Sequence, residues 1–227
     1  MDFVLKQIAH IESDFKTKFG VPRQSGLVGS LRARIVFEKE YRSREALRGI
    51  EDFSHIWIVW QFSEAVRETW SPTVRPPRLG GNARLGVFAT RSPFRPNPIG
   101  LSSVKLESVE FDSALGPVLN VLGADLMDGT PIFDIKPYLP YTDCHADASG
   151  GFTDSTEMPE LELDFPENLL RLVPEESREG LIGVLRQDPR PRYKSDGDRE
   201  YGFEFAGFEV KFAVTEGVVR VISVQSK

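Results

Sequence analysis

The stretch "SSVKLESVEFDSALGPVLNVLGADLMDGTPIFDIKPY", residues 102–138, contains three strand signals separated by turn signals. The first two, "SSVKLESVEF" and "PVLNVLGADLMD", are rich in β-branched and apolar residues, and the "DSALG" between them is typical of a hairpin connection. The segment "DGTP" predicts a tight turn with Gly129 at positive φ, and "TPIFDIKPY" follows as a third strand. This spacing predicts consecutive antiparallel strands.

Four upstream segments also have strand signals. They are "FVLKQIAHI" (3–11), "ARIVFEKEY" (33–41), "SHIWIVWQF" (54–62) and "GVFAT" (86–90). The third is a nearly continuous aromatic and β-branched run, which predicts a strand buried on both faces. Ser43 is placed to cap a short helix through "REALRGI". So many short strands with little helical periodicity indicate a mainly β fold, an antiparallel barrel or sandwich, over roughly the first 140 residues.

The last third of the chain has a different pattern. Residues 144–160 are small, polar and acidic, which predicts a linker or mobile loop between a domain at 1–143 and a domain at 161–227. In the second domain, "PEESREGLIGVLRQ" predicts a helix. Three alternating segments, "EYGFEF", "GFEVKFAV" and "VVRVISV", then predict a three-stranded meander. The second domain is therefore expected to be small and α+β.

Composition excludes several classes of protein. Hydrophobic residues make up 40% of the chain, and no run approaches the roughly eighteen apolar residues of a membrane span. The N-terminus has no apolar segment typical of a signal peptide, and the single cysteine, Cys144, cannot form an internal disulfide. These features predict a cytoplasmic protein. The three histidines are too scattered to suggest a metal site.

Charge is distributed unevenly along the chain. The net charge is −6, yet residues 66–106 contain seven basic residues and one acid, Glu68, which leaves +6 there and −12 elsewhere. Such a segment favours an anion-binding surface on a chain that otherwise repels polyanions. Arginines paired with acids in a solvated loop would give the same count.

The basic segment includes a rigid loop, "TRSPFRPNPIG" (90–100). Its three prolines restrict the backbone, and Arg91 and Arg95 are suited to bidentate contact with carboxylate or phosphate. Common signatures of dinucleotide folds, phosphate loops, serine hydrolases and metalloproteases are missing. Cys144 beside His145 is better interpreted as a solvated loop pair than as a nucleophile with its base.

The strand "DIKPY" places Asp134, Lys136 and Tyr138 on one side by their two-residue spacing. An acid, an ammonium and a phenol on one face can form a functional cluster. The same pattern also fits an exposed strand face with an ion pair, and spacing alone slightly favours that second interpretation.

The motifs "VRPPRLGGNARLGVFATRSPFRPNPIGLSSV", "DLMDGTPIFDIKPYLP" and "QDPRPRY" occur here in the order seen in a known family. With them, the chain from about Ile8 to Tyr193 closely resembles the TsaA-like, TrmO family of tRNA methyltransferases. The resemblance implies an S-adenosylmethionine-dependent enzyme that methylates N6 of N6-threonylcarbamoyladenosine at position 37 of a tRNA anticodon loop. It also implies a β-barrel cofactor domain, a small C-terminal domain and a homodimer, with no metal and no membrane.

The resemblance also implies roles for particular residues. Cofactor contacts fall at Ser25, Gly26, Leu27, Glu64, Ala65, Arg91, Leu101, Gly123, Ala124, Asp125 and Leu126. For the implied RNA substrate, the charge of the basic segment and of "DPRPRY" predicts contacts at Arg75, Arg78, Arg84, Arg95, Asn97, Arg190 and Tyr193. Candidate catalytic residues are Asp128, Asp134, Lys136 and Tyr138, where an acid would remove the N6 proton unless the substrate's own carboxylate does so.

Two other functions remain open at this point. The barrel could be a methyltransferase of the same type acting on another substrate, such as a different modified nucleoside or a small molecule. It could also be a binding module for S-adenosylmethionine and RNA without turnover. A steep fall in affinity with salt would indicate several phosphate contacts and hence a nucleic acid.

Overall fold

The computed structural model describes residues 4–79, 83–156, 159–190 and 199–227, without the side chain of Arg78. The strands and α-helices are β1 (Ala9–Ser13), β2 (Arg32–Phe37), β3 (His55–Gln61), β4 (Thr73–Val74), β5 (Leu85–Gly86), β6 (Ile99–Asp112), β7 (Gly116–Leu122), β8 (Pro131–Pro137), α1 (Pro140–Asp143), β9 (Glu162–Asp164), α2 (Glu167–Leu170), α3 (Glu175–Arg186), β10 (Tyr201–Phe205), β11 (Phe208–Thr215) and β12 (Val218–Ser226). Short 3-10 turns connect several of them.

Six strands close into an antiparallel barrel in the order β1-β2-β7-β6-β3-β8. β8 closes the barrel on β1, where Ala9 pairs with Ile132. The predicted hairpin joins β6 to β7, and Gly129 has φ +74°, as the turn requires. The mainly β fold is confirmed, and its first domain is a barrel.

The barrel core follows the alternation of its strands. Ile56, Ile58 and Trp60 of β3 lie inside with at most 7% exposure, while the intervening Trp57 and Val59 are only half-buried. The prediction that this strand is buried on both faces was therefore wrong. The outward Trp57 and Val59 are as apolar as the inward residues, so the centre of the strand concealed the period of two.

Two further local predictions differ from the structure. In the predicted strand "GVFAT", residues Val87–Ala89 form a 3-10 turn, and only the preceding Leu85–Gly86 pairs, with β4. Ser43 precedes a 3-10 turn at Arg44–Leu47, but its side chain makes no capping hydrogen bond. At the first place, burial of Val87 and its hydrogen bond to the Pro72 carbonyl outweigh the local strand preference.

The C-terminal region is a four-stranded sheet in the order β10-β11-β12-β9, with α3 close to β9. The predicted helix and three-stranded meander are present, and β9 is an additional strand that pairs in parallel with β12. Leu181, Val184 and Leu185 of α3 are buried in the core of this region.

This second core also contains residues from near the N-terminus. Phe15, Val28 and Leu31 are at most 5% exposed and pack within the same cluster as α3 and the sheet. Phe15 and Phe205 meet edge to face with ring centroids 5.3 Å apart. The segment between β1 and β2 therefore leaves the barrel core and joins the two parts of the molecule.

Candidate active site

A cleft of about 1890 Å³ lies beside the end of β3 and the start of β6. Its walls come from the proline-rich loop 90–98, the 3-10 turn Ser63–Ala65, the β4–β5 ribbon and residues 21–24. The segment 66–106 supplies many of its lining residues, among them five of that segment's seven basic residues.

A hydrogen-bonded network reaches this cleft from the barrel wall. Trp60 Nε1 donates to Ser102 Oγ at 3.0 Å, and Ser102 Oγ donates to Asp125 Oδ1 at 2.5 Å. Ser102 is 1% exposed, whereas Asp125 lines the cleft. Gly100 permits this arrangement because a Cβ there would lie 2.2 Å from the Trp60 ring. The network fixes an acidic acceptor at the inner end of the cleft.

Burial raises the pKa of Asp125 above its usual value, and the hydrogen bond from Ser102 acts in the opposite direction. The backbone of Ser25 and the charge of Arg91 also favour the carboxylate. Asp125, in the predicted cofactor segment 123–126, therefore interacts both with the predicted cofactor segment 25–27 and with Arg91 of the proline-rich loop.

The predicted cofactor segments Ser25–Leu27 and Gly123–Leu126 lie against one another. The Gly26 N–H donates to the Gly123 carbonyl at 2.9 Å. Gly123 has φ +78°, a left-handed conformation that favours glycine, and a Cβ there would lie at van der Waals distance, 3.4 Å, from the Gly26 backbone. Ala124 and Leu126 point into the barrel core, which leaves Asp125 as the side chain facing the cleft.

Four of the other predicted cofactor residues line the same cleft as Asp125, whereas Leu27 lines a separate pocket of about 410 Å³. Arg91 lines the cleft and donates to Gln24 Oε1. Leu101 is 54% exposed and also lines the cleft, with Glu64 and Ala65 following the end of β3. An acceptor, a guanidinium and apolar surface are thus present in one cleft, the set that suits a nucleoside bearing an amino-acid group.

The four predicted catalytic residues lie outside the cleft lining. Asp128 accepts from the Ser13 N–H at 3.0 Å and from Lys16 Nζ at 2.6 Å. Lys136 Nζ lies 2.9 Å from Asp134 on the outer face of β8. Tyr138 contacts Trp57, with centroids 5.6 Å apart. Their catalytic role stays a prediction, and these contacts fit a structural role.

The predicted RNA residues divide into two groups. Arg75, Arg84, Arg95 and Asn97 line the cleft. Arg190 lies at a separate pocket of about 410 Å³, where Asp188 accepts from it at 2.7 and 3.0 Å and raises its pKa. The Arg78 side chain and Tyr193 lie outside the described residues.

Sequence reasoning missed several residues of this site. Gln24 orients Arg91, and Trp60 with Ser102 orients Asp125. Two exposed aromatic residues of the cleft, Trp70 and Phe88, were also missed. Only the cleft aromatics had a sequence signal, since bulky rings beside prolines and arginines are unusual in a solvated loop.

The described parts of the chain contain no group of three His, Cys, Asp or Glu side chains arranged to hold a metal ion. No helix within those same parts is long and apolar enough to cross a membrane.

Comparison with known proteins identifies the family. The model of the tRNA-methyltransferase O N-terminal domain matches residues 10–144, and that of the TrmO C-terminal domain matches residues 159–227. The chain belongs to the tRNA-methyltransferase O family. The tRNA (adenine(37)-N6)-methyltransferase of Escherichia coli K12 is 42% identical over 235 residues, covering 99% of each chain.

Other relatives agree with the TrmO assignment. An S-adenosyl-L-methionine-binding protein of Archaeoglobus fulgidus is 38% identical over 141 residues, which span 62% of this chain and 93% of that protein. A crystal structure of TrmO from Pseudomonas aeruginosa has a TM-score of 0.80 and 33% identity, covering 100% of both chains. The barrel and the C-terminal sheet therefore both belong to the TrmO fold.

Proposed function

We propose that this protein is an S-adenosylmethionine-dependent tRNA methyltransferase acting on N6 of adenosine 37, with the N6-threonylcarbamoyl form as its substrate. The observation that carries the proposal is the match of both TrmO domains along the chain, together with 42% identity to the Escherichia coli enzyme. The cleft supports it, because it combines an acidic acceptor with arginines and apolar surface.

S-adenosylmethionine, when bound, supplies the methyl group. The Asp125 carboxylate, held by Ser102, would accept hydrogen bonds from the nucleoside or amino group. Arg91, oriented by Gln24, would bind the amino-acid carboxylate, and Leu101 would cover an apolar face. The closely packed backbones of Gly26 and Gly123 keep these groups in fixed positions, which favours an aligned transfer.

The cleft itself contains acids. Glu64, Glu68 and Asp125 line it, whereas Asp128 and Asp134 lie outside its lining and pair with lysines. We propose that a cleft acid or the substrate's own carboxylate takes the N6 proton. No covalent intermediate with the protein is needed for a single methyl transfer.

The RNA would enter along the basic side of the cleft. Arg75, Arg84 and Arg95 line it and are placed to meet phosphates of the anticodon loop or the carboxylate of the modified base. Asn97, at the end of the rigid loop, adds an amide that can bond to base edges.

The reaction is tested by incubating the purified protein with labelled S-adenosylmethionine and tRNA, with and without the threonylcarbamoyl group. Nucleoside mass spectrometry should show one added methyl only on the modified adenosine. Methylation of unmodified adenosine would contradict the proposed substrate form. Cofactor binding without any methyl transfer would favour a binding module for S-adenosylmethionine and RNA. Methyl transfer to a small molecule, with no dependence of affinity on salt, would favour a methyltransferase that acts on a substrate other than tRNA.

The cofactor site is tested by Arg91→Ala. Loss of one hydrogen bond to a charged group should weaken S-adenosylmethionine binding by about 1.5–3 kcal/mol. Arg44→Ala is a suitable control, because Arg44 is exposed and lies over Phe111 outside the cleft. Calorimetry that gives equal affinities for both variants would remove Arg91 from the cofactor site.

A homodimer and a cytoplasmic location are also part of the proposal. The resemblance to the TrmO family supports the dimer, and tRNA as substrate supports the location. Sedimentation of the purified protein and imaging of a fluorescent fusion test these two points separately.

A further inference from the structure

The cleft contains exposed aromatic side chains that belong to neither hydrophobic core, and two of them lie together. Trp70 and Phe88 are 52% and 73% exposed, and both line the cleft with Arg91 and Asp125. Rings of this size are usually buried, so an exposed pair inside a cleft indicates a surface for a ligand. The cofactor assignment above includes neither residue.

The local structure brings these two rings together. The strands β4 and β5 pair antiparallel, with Thr73 opposite Gly86. The Val87 N–H donates to the Pro72 carbonyl at 2.9 Å, and Val87 is 1% exposed, so the ribbon is anchored. Trp70 and Phe88 lie just beyond this end of the ribbon, with centroids 6.1 Å apart and ring planes inclined by 31°. They form one preformed aromatic surface.

Charges around the pair indicate what binds there. The Arg67 guanidinium lies 3.8 Å over the Phe94 ring, and Arg84 and Arg95 line the same cleft. Arg95 donates to the Thr90 carbonyl at 3.1 Å, which fixes its loop. Aromatic rings interleaved with arginines suit single-stranded RNA, whose bases stack while its phosphates meet the cations.

We propose that Trp70 and Phe88 form a stacking surface for unpaired bases of the anticodon loop that flank the methylated nucleotide. The proposal rests on the proposed tRNA substrate. A base must leave its stack before its N6 can reach a cofactor deep in a cleft, and that step is unfavourable. Stacking of neighbouring bases on Trp70 and Phe88 offsets it and holds the loop open.

The test uses a synthetic anticodon stem-loop RNA with 2-aminopurine beside adenosine 37. We expect Trp70→Ala and Phe88→Ala each to raise the Kd for this RNA roughly 5- to 150-fold, the range that base-aromatic stacking gives on alanine substitution. Trp70→Phe, which keeps a ring, should restore most of the affinity. Tyr141→Ala is the matched control, because Tyr141 is 86% exposed and lies outside the cleft lining.

Salt dependence separates stacking from phosphate binding. A stacking ring releases no counterions, so the two alanine variants should keep the wild-type slope of log K against log salt. Arg84→Ala should instead make that slope shallower by about one. A shallower slope in Trp70→Ala would contradict the stacking role.

The outcomes distinguish this proposal from the proposed function. If wild-type protein neither binds the stem-loop nor methylates tRNA, both proposals fail. If it does both, but Trp70→Ala and Phe88→Ala bind as Tyr141→Ala does, only the stacking proposal is overturned. Unchanged 2-aminopurine fluorescence in the wild-type complex would overturn it as well. Unaltered S-adenosylmethionine binding in the variants shows that they are folded.

Discussion

Replacing Ser102 with alanine removes one hydroxyl that makes two hydrogen bonds in the barrel wall. This hydroxyl accepts from Trp60 Nε1 at 3.0 Å and donates to Asp125 Oδ1 at 2.5 Å. Because Ser102 is 1% exposed, water cannot replace it without rearrangement. Ser102→Ala therefore tests whether the network positions Asp125.

The size of the effect follows from those two bonds. A hydrogen bond to a carboxylate contributes about 1.5–3 kcal/mol, and an indole N–H left buried without an acceptor costs about 1–3 kcal/mol. The bonds share one hydroxyl, and Asp125 keeps its hydrogen bond from the Ser25 backbone, so we expect roughly 2–4 kcal/mol of lost stability. Ser108→Ala is the control, because Ser108 lies on the same strand as Ser102 but is half-buried and only accepts a hydrogen bond from Asn120 on β7. Its loss should cost only about 0.5–1.5 kcal/mol.

Two measurements check this prediction. Denaturant unfolding compares the free energies of unfolding of the two variants. Calorimetry at several pH values measures the affinity for S-adenosylmethionine. Loss of the Ser102 hydrogen bond should raise the pKa of Asp125 further. As the pH is lowered, Ser102→Ala should therefore lose affinity at a higher pH than the wild type does. Equal stability of Ser102→Ala and Ser108→Ala, with an unchanged pH profile of binding, would refute the positioning role.

Two further substitutions test the structure around the site, and a third tests the C-terminal core. Gly100→Ala places a Cβ 2.2 Å from the Trp60 ring and should lower the free energy of unfolding by about 1–3 kcal/mol; an unchanged melting temperature would contradict this packing. Burial raises the pKa of Asp125 above 3.8, so the folded state binds the proton more tightly and stability falls as pH rises through the folded pKa. Asp125→Asn should abolish that fall and be the more stable protein at neutral pH, which denaturant titrations at several pH values would reveal. Phe15→Ala should cost about 3–5 kcal/mol and make residues 199–227 more sensitive to protease; unaltered cleavage there would show that Phe15 does not stabilise that sheet.

The strands of residues 99–137 were predictable because their apolar positions recur at the period of a half-buried strand and turn residues separate them. The C-terminal meander was predictable for the same reason. The strand β3 was also predictable, but its two faces were not, since Trp57 and Val59 on its outer face resemble the core residues beside them. Sequence distinguishes the two faces of a strand only when their compositions differ.

The candidate site was predictable in part. Arg91 and Asp125 were identified by their motifs, and the structure brings both to one cleft. The role of Ser102 was not predictable, because its partners Trp60 and Asp125 meet it only through the barrel register. Asp128 belongs to the same sequence motif as Asp125, but its carboxylate forms an ion pair with Lys16, more than a hundred residues away in the chain. The motif alone could not predict that contact.

The contribution of residues 15–31 to the C-terminal core has a consequence for synthesis on the ribosome. Phe15, Val28 and Leu31 are made before the barrel strands β2 to β8, whereas the sheet that covers them is complete only at Ser226. All barrel strands have been made by Pro137, but these three apolar side chains lack full cover until β10 to β12 have followed. A nascent chain of this protein therefore exposes an apolar surface after its barrel strands are made, and a chain cut short before β10 would keep that surface exposed.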